Sequence, residues 1–358
     1  ATWWGRGWSE CARSDGEVYG ARLALEGLLA FFGESTFLGA WIFGWGRLRK
    51  GVHLATIWLA AIGSWVSAYF IIVANSWMQH PVGVELGEDG RPVMTDIWAV
   101  LTNNTALAAF SHTIAGALMV AGMFLLGISW YHLWRRRRDG IDTVDADGRV
   151  VIGAHPEIAG RDEKDHGVWI RSLRIGAVVA IVGFGAVALT GDIQGKIMYE
   201  QQPMKMAAAE AACHSGSSFS VLSLGDPGST DCDSVITLIE IPGVLGFLGK
   251  GDFGAEMPGI NELQPQYVDK YGETLPDDAL YGDRAGSEIT YVPVMWVTYW
   301  GFRLMIGLGA IPAFAAVVAL WMTCKGTVPS SAGIMRLALL GIPAPFAANS
   351  AGWSFTEM

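Results

Sequence analysis

A chain of 358 residues that is 51% hydrophobic and only 16% charged falls well short of the roughly 25% charge of a soluble domain, so its solvent is lipid rather than water. The formal net charge of -10 excludes the basic surface that nucleic-acid binding requires. The fold class that follows is an all-α polytopic membrane protein, a helical bundle with a large extracytoplasmic loop.

The first apolar run, residues 21–43, is long enough to cross a bilayer, yet it contains Glu26 and Glu34. Eight residues of ideal α-helix rise about 12 Å and rotate by a net of about 80°, so the two carboxylates can share a side at different depths. A carboxylate facing lipid is costly, so both should face protein or a water-filled path, as steps of a proton route. Arg47, Arg49 and Lys50 follow this run, and a second run covers 53–74. The next loop is acidic, with Glu85, Glu88, Asp89 and Asp96. A third run, 106–130, is followed by Arg135 to Arg138, and a fourth covers 172–191.

Residues 192–292 form the one sizeable segment outside the apolar runs, with a helix expected around Met204 to Ala212 and a turn-rich acidic end from Tyr271 to Asp283. The segment either covers a site at the outer surface or is an ordinary flexible loop. It holds Cys213 and Cys232; a disulfide between them would close the loop, and two separate buried thiols are the alternative. No Cys-x-x-Cys occurs, which argues against an iron–sulfur or thiol redox site. A fifth run covers 293–322, with Lys325 and Arg336 around the loop after it, and a sixth, 335–355, is interrupted by Pro343 and Pro345. Strict alternation puts the three basic loops on one side, which the positive-inside rule assigns to the cytoplasm, and sends the 192–292 segment outward. The chain thus reads in three parts: helices over 1–191, the outer segment over 192–292, and helices over 293–358.

His112 lies near the outward end of the third run and Met305 near the outward end of the fifth, at similar depth. A His/Met pair on facing helices is a sound axial set for a low-spin haem, and Arg303 could reach a haem propionate at the boundary. The plainer account is that the methionine is apolar filler and the histidine a hydrogen-bonding group inside the bundle. His53 and His132 sit at run boundaries, and His80, His155, His166 and His214 in loops, without ligand spacing.

The run from Gly20 to Phe37, with Glu26-Gly27-Leu28-Leu29-Ala30-Phe31-Phe32-Gly33-Glu34 at its centre and Phe43-Gly44-Trp45 after it, resembles the glutamate helix of subunit I of cytochrome bd quinol oxidases. So do Ala74-Asn75-Ser76-Trp77-Met78-Gln79-His80-Pro81, Phe110-Ser111-His112-Thr113, Gly191-Asp192, and Gly341-Ile342-Pro343 followed by Gly352-Trp353. These matches run in family order over nearly the whole chain, which makes them more specific than any one short motif.

The resemblance implies a terminal oxidase of the prokaryotic cell membrane that passes electrons from a membrane quinol, ubiquinol or menaquinol, through low-spin haem b and high-spin haem b to haem d, where oxygen becomes water. It would build a proton gradient without pumping. Residue by residue, His112 and Met305 match the axial ligands of low-spin haem b and Arg303 an arginine of that centre. Lys205 and Glu210 match the pair implicated in quinol oxidation in the external loop known as the Q-loop. Glu26 and Glu34 match carboxylates tied to proton transfer and the haem environment, and Asn75 a polar, cofactor-binding residue near that haem environment. Glu357 matches a glutamate at the high-spin haem, also a metal ligand position, and Trp353 an aromatic packed near the haems. A second large membrane subunit, a small single-span subunit and lipid are the implied partners.

Taken from spacing alone, Lys205 and Glu210 are five apart, about 140° on a helix, so they need not pair and could be a solvated loop pair. The sequence also departs from the family: Arg22 stands where relatives commonly have Pro, and Gly33 replaces a bulkier residue. Relatives carry further spans before and after the matched region, including an upstream histidine for an oxygen-site haem. Two other classes would use the same helices. A polytopic transporter would explain the glutamates but not the His112/Met305 pair, and a non-catalytic haem-binding subunit would carry one low-spin haem.

Overall fold

The computed structural model describes residues 20, 24, 26–87, 92–145, 150–151, 159–225, 232, 234–275, 286–327 and 331–358. Arg22, Glu88, Asp89, His155 and the acidic stretch from Pro276 to Asp283, each singled out above or part of a segment that was, lie outside these residues. The chain divides into two compact units, residues 1–111 with 277–285 and residues 112–276 with 286–358.

In the first unit a π-helical turn, Glu26–Phe31, leads into α1, Phe32–Phe43. A turn at Gly44, whose carbonyl accepts the amides of Arg47 and Leu48 at 3.0 and 2.9 Å, sends the chain back as α2, Lys50–Gln79. His53 Nε2 is 2.9 Å from the Trp41 carbonyl, which staples the two helices at their joined ends. A short hairpin follows, β1 (Val84–Leu86) with β2 (Pro92–Met94), antiparallel with Val84 opposite Met94. Asp96 caps α3 (Ile97–Leu101) by accepting the amides of Trp98 and Ala99 at 2.8 and 3.2 Å. Val73, Ala74, Trp77, Val100 and Ala106 form this unit's core.

Helix α4, Asn104–Arg138, carries the chain into the second unit. There it packs with α5 (Ala159–Gln201), α9 (Met295–Cys324), α10 (Ala332–Leu340) and α11 (Ala344–Thr356). Met123, Leu126, Trp130, Leu133, Leu173, Ala177, Ala180, Ala316, Ala319 and Ala338 form the core, rich in the small residues that let membrane helices approach closely. A Cβ on Gly122 would stand 2.5 Å from the Ala180 nitrogen, so α4 and α5 touch backbone to backbone. At the basic end of α4, Arg136 holds Asp142 through Nε at 2.9 Å and Nη2 at 3.1 Å, and His166 Nδ1 is 2.9 Å from the same carboxylate. Burial alone would raise the Asp142 pKa, but the hydrogen bonds from His166 and Arg136 hold it below the ordinary value. A two-residue hairpin, β3 (Thr143–Val144) with β4 (Val150–Val151), closes this end.

The outer segment folds as α6 (Pro203–Glu210), the antiparallel pair β5 (Phe219–Leu224) and β6 (Ile236–Ile241), α7 (Val244–Lys250) and α8 (Ile260–Tyr271). Cys213 and Cys232 are joined in a disulfide. The segment is therefore ordered over its described residues, and the small sheets all lie outside the long apolar helices.

Among the described residues five helical stretches are long and apolar enough to cross a membrane: Lys50–Gln79, Ile97–Arg138, Lys164–Gln201, Met295–Cys324 and Ala332–Thr356. The sequence suggested six. The first of those, 21–43, is described only in part and appears as the π-turn and the 12 residues of α1. The last is a broken span, α10 and α11 parted at Gly341 to Pro343, because proline has no N–H to continue the helical ladder. Leu189, Phe314 and Leu337 are 72, 73 and 69% exposed, the outward apolar surface that lipid covers. The protein is a multi-pass membrane bundle with extracytoplasmic loops.

Candidate functional site

Helix α6 starts at Pro203, whose fixed φ and missing N–H suit a first helical position, and runs through three consecutive alanines, the best helix formers. It stops at Ala211, whose left-handed φ of 49° costs about 1 kcal/mol in a residue with a Cβ. Met204, Ala207 and Ala208 pack on Ile260, Leu263, Val292 and Met295, while Met206 packs on Leu245 and Met257. The helix is buried on both sides, so Glu210 at its end is 1% exposed.

Glu210 meets Arg303 of α9, Oε2 to Nη2 at 2.9 Å. Its other oxygen, Oε1, is buried without a hydrogen-bond partner among the described residues. The remaining guanidinium N–H groups go to the carbonyls of Ser220, Ala209 and Tyr299, and the guanidinium carbon lies 3.5 Å from the centre of the Tyr299 ring. All five donors of Arg303 thus have protein acceptors. In this arrangement the arginine expected at a haem propionate is committed to Glu210. Burial raises the Glu210 pKa to about 7, against the opposing pull of Arg303 and the Ser220 backbone.

Lys205 points elsewhere. Its Nζ donates to the Thr356 carbonyl at 2.8 Å, and burial lowers its pKa to about 8 while the Glu357 charge works the other way. Lys205 and Glu210 therefore serve different partners, as their spacing allowed, and the solvated-pair alternative fails because Glu210 is enclosed. Glu357 is exposed just after α11, its amide bonded to the Trp353 carbonyl at 3.0 Å, and Trp353 is 39% exposed.

His112 of α4 lies with Nδ1 3.1 Å from Thr190 Oγ1 of α5. The Thr190 hydroxyl spends its proton on the Ala186 carbonyl at 2.7 Å, so it accepts from Nδ1–H. That puts a proton on Nδ1 and leaves Nε2 as the nitrogen whose lone pair, in the neutral ring, can bind a metal. A Cβ on Gly191 would come within 3.3 Å of the His112 ring, and one on Gly352 within 2.7 Å of Met305 Sδ. Glycines of two family-like motifs thus make room for the two candidate ligands, and a neutral imidazole with a thioether is a donor set that fits haem iron. Among the described residues no cluster of three His, Cys, Asp or Glu could hold a metal on its own.

In the first unit, Glu26 Oε1 accepts from Ser67 Oγ at 2.7 Å, and the Glu34 backbone lies 3.2 Å from where a Cβ on Gly63 would be. Ser67 and Gly63 are one turn apart on α2, so both glutamates lie against one face of a helix, neither of them fully exposed. The π-turn contributes: bonds spanning five residues turn the chain less per residue than an α-helix, which shrinks the 80° offset of an ideal helix. Asn75 accepts from Gln79 Nε2 at 2.8 Å. Tyr299, Ser220, Ser223 and Thr237, which line up beside Arg303, were not singled out in the sequence. The one signal was two serines inside the otherwise apolar strand Phe219–Leu224.

A model of the family described as "Cytochrome bd terminal oxidase subunit I" matches residues 3–358. The chain is 33% identical to cytochrome bd ubiquinol oxidase subunit 1 of Bacillus subtilis (strain 168) over 362 residues, 99% of this chain and 66% of that one. It is 28% identical to cytochrome bd-II ubiquinol oxidase subunit 1 of Escherichia coli (strain K12), covering 99% of this chain and 72% of that one. Among solved structures, the bd oxidase from Geobacillus thermodenitrificans superposes with a TM-score of 0.72 at 26% identity, over 98% of this chain and 68% of that one. The chain thus spans just under two thirds of the Bacillus relative's length.

Proposed function

From the premise that this chain belongs to the cytochrome bd terminal oxidase subunit I family, we propose that it carries the quinol-oxidising and haem-binding part of a quinol:oxygen oxidoreductase. The quinol, ubiquinol or menaquinol, docks against the 192–292 segment. Glu210 accepts its proton, because a buried carboxyl with a pKa of about 7 exists in both forms near neutrality. Arg303 holds Glu210 in place, and Lys205 ties the same segment to the end of α11 beside Glu357.

His112 through Nε2 and Met305 through Sδ hold low-spin haem b, and Glu357 serves high-spin haem b, with Trp353 beside it. Haem bound there supplies one-electron acceptance from quinol and, with haem d, reduction of oxygen to water. Glu26 and Glu34 move the protons that this reduction consumes from the cytoplasmic side, and Asn75, on the helix they pack against, belongs to the haem environment. Quinol protons released outside and protons consumed from inside make a gradient without a pump. A second large membrane subunit, a small single-span subunit and lipid complete the assembly.

The observation that carries this reading is the buried Glu210–Arg303 pair, whose arginine is two residues from Met305 on α9. The test is a reduced-minus-oxidised spectrum and quinol turnover of the purified complex. His112→Ala should remove the low-spin signal, and Glu210→Gln should keep the full spectrum while quinol oxidation falls at least about a hundredfold. A normal low-spin signal in the first variant, or wild-type turnover in the second, would overturn the assignment.

A further inference from the structure

Beside the Glu210–Arg303 pair runs a line of hydroxyls that the proposed function does not use. Tyr299 OH accepts the Ser223 amide at 2.7 Å and lies 3.1 Å from Ser220 Oγ and 3.4 Å from the Ser220 carbonyl, to which it can donate. Ser220 Oγ and Ser223 Oγ are 2.5 Å apart, and Ser223 Oγ is 2.9 Å from Thr237 Oγ1 on β6. Tyr299, Ser220 and Ser223 are 0, 5 and 2% exposed, and Thr237 is half-buried. A hydroxyl has one proton to give and two lone pairs to receive with. The line can therefore be written in the sense Ser220 to Ser223 to Thr237, each oxygen accepting from one neighbour and donating to the next.

Burying serines in an apolar strand costs free energy unless they are paired. Here they bond to one another and to Tyr299 and Thr237, forming a continuous polar thread between the two strands and α9. Arg303 ties this thread to Glu210, because the Nη2 that donates to Glu210 Oε2 at 2.9 Å also donates to the Ser220 carbonyl. The two acceptors on this nitrogen, Glu210 Oε2 and the Ser220 carbonyl, lie about 4–5 Å apart, which sets Ser220 beside the carboxyl group. Glu210 Oε1, fully buried and without a hydrogen-bond partner among the described residues, is the oxygen left to carry the proton.

We propose that this thread is the exit path along which protons accepted by Glu210 leave for the outer face, an assignment that rests on the quinol-oxidase reading. In each passage a quinol O–H bond breaks: its proton binds Glu210, and its electron goes to a one-electron acceptor of the haem class. The Glu210 proton then passes through water to Ser220 Oγ as Ser220 gives its own to Ser223, Ser223 to Thr237, and Thr237 to bulk water. One proton enters and one leaves, and rotation of the hydroxyls resets the line. Tyr299 is a positioning residue that holds Ser220 and the Ser223 amide in line.

The test uses the assembled oxidase in liposomes. Thr237→Val removes the last hydroxyl at constant shape, and Ser223→Ala removes the middle one. Each should keep the haem spectrum and the quinol KM, lower turnover about tenfold, and enlarge the solvent deuterium isotope effect on quinol oxidation, and Thr237→Ser should restore all of it. Wild-type turnover and isotope effect in both variants would overturn the path. So would a loss of turnover that comes with lost haem or lowered melting temperature and is not rescued by Thr237→Ser, since that is a packing role. Failure of the oxidase reading is seen separately, as a wild-type complex that oxidises no quinol, and the path falls with it.

Discussion

Glu210 shows how one enclosed carboxyl sets opposite trends for activity and stability. As proton acceptor it must be ionised, and burial has moved its pKa from 4.5 to about 7. Quinol turnover should therefore rise with pH through about 7, and Glu210→Gln should show a low rate without that inflection. Stability runs the other way. A group whose pKa is raised on folding contributes its stability in full below the unfolded value of 4.5 and loses it as pH rises through about 7. The difference in melting temperature between wild type and Glu210→Gln, followed over that window, checks the sign. Arg303→Lys is not conservative here, because an ammonium cannot reproduce a fork that serves Glu210 and three carbonyls. Breaking this buried pair should cost about 3–5 kcal/mol in thermal unfolding and move the turnover inflection to higher pH. None of these partners could be read from the sequence, since Arg303 and Glu210 are separated by 93 residues.

At the scale of elements, the contact of α4 with α5 is the most exacting. Helices driven together in lipid gain mainly from close packing, and Gly122 meets the Ala180 nitrogen and the Gly176 carbonyl, backbone atoms that cannot rotate away. Gly122→Ala should therefore destabilise the complex by about 1–3 kcal/mol. It should also weaken the low-spin haem signal, since His112 on α4 takes its tautomer from Thr190 on α5. A variant with wild-type melting temperature and spectrum would show that the helices have room to part. The outer segment depends on a different device. The Cys213–Cys232 bond spans 19 positions, and losing it through Cys213→Ser should release about 3 kcal/mol of loop-closure stabilisation, measurable as earlier melting and faster proteolysis of the segment. The helix at 203–210 was legible from its alanine run, and the disulfide was one of two readings left open by two cysteines in one loop. The strands β5 and β6 were not foreseen, because short two-stranded pairs at a protein surface leave little periodicity to detect.

For the whole molecule, the basic loops predict orientation. In sealed right-side-out vesicles a protease added outside should cut within 192–292, and a membrane-impermeant thiol reagent should reach Cys324, the exposed free cysteine among the described residues, only from inside. Outside labelling of Cys324 would invert the topology. The sequence by itself determined the lipid environment, the long helices, the charge asymmetry of the loops and the family, because these depend on composition and on residue order along one chain. Only the tertiary structure decided which groups meet. It sent Lys205 to the end of α11, joined Glu210 to Arg303, set Glu26 and Glu34 on one face of α2 and threaded four hydroxyls between a strand pair and a membrane helix. Burial and partner choice depend on residues far apart in sequence, so the pKa that makes Glu210 a usable proton acceptor is a property of the fold and not of the glutamate.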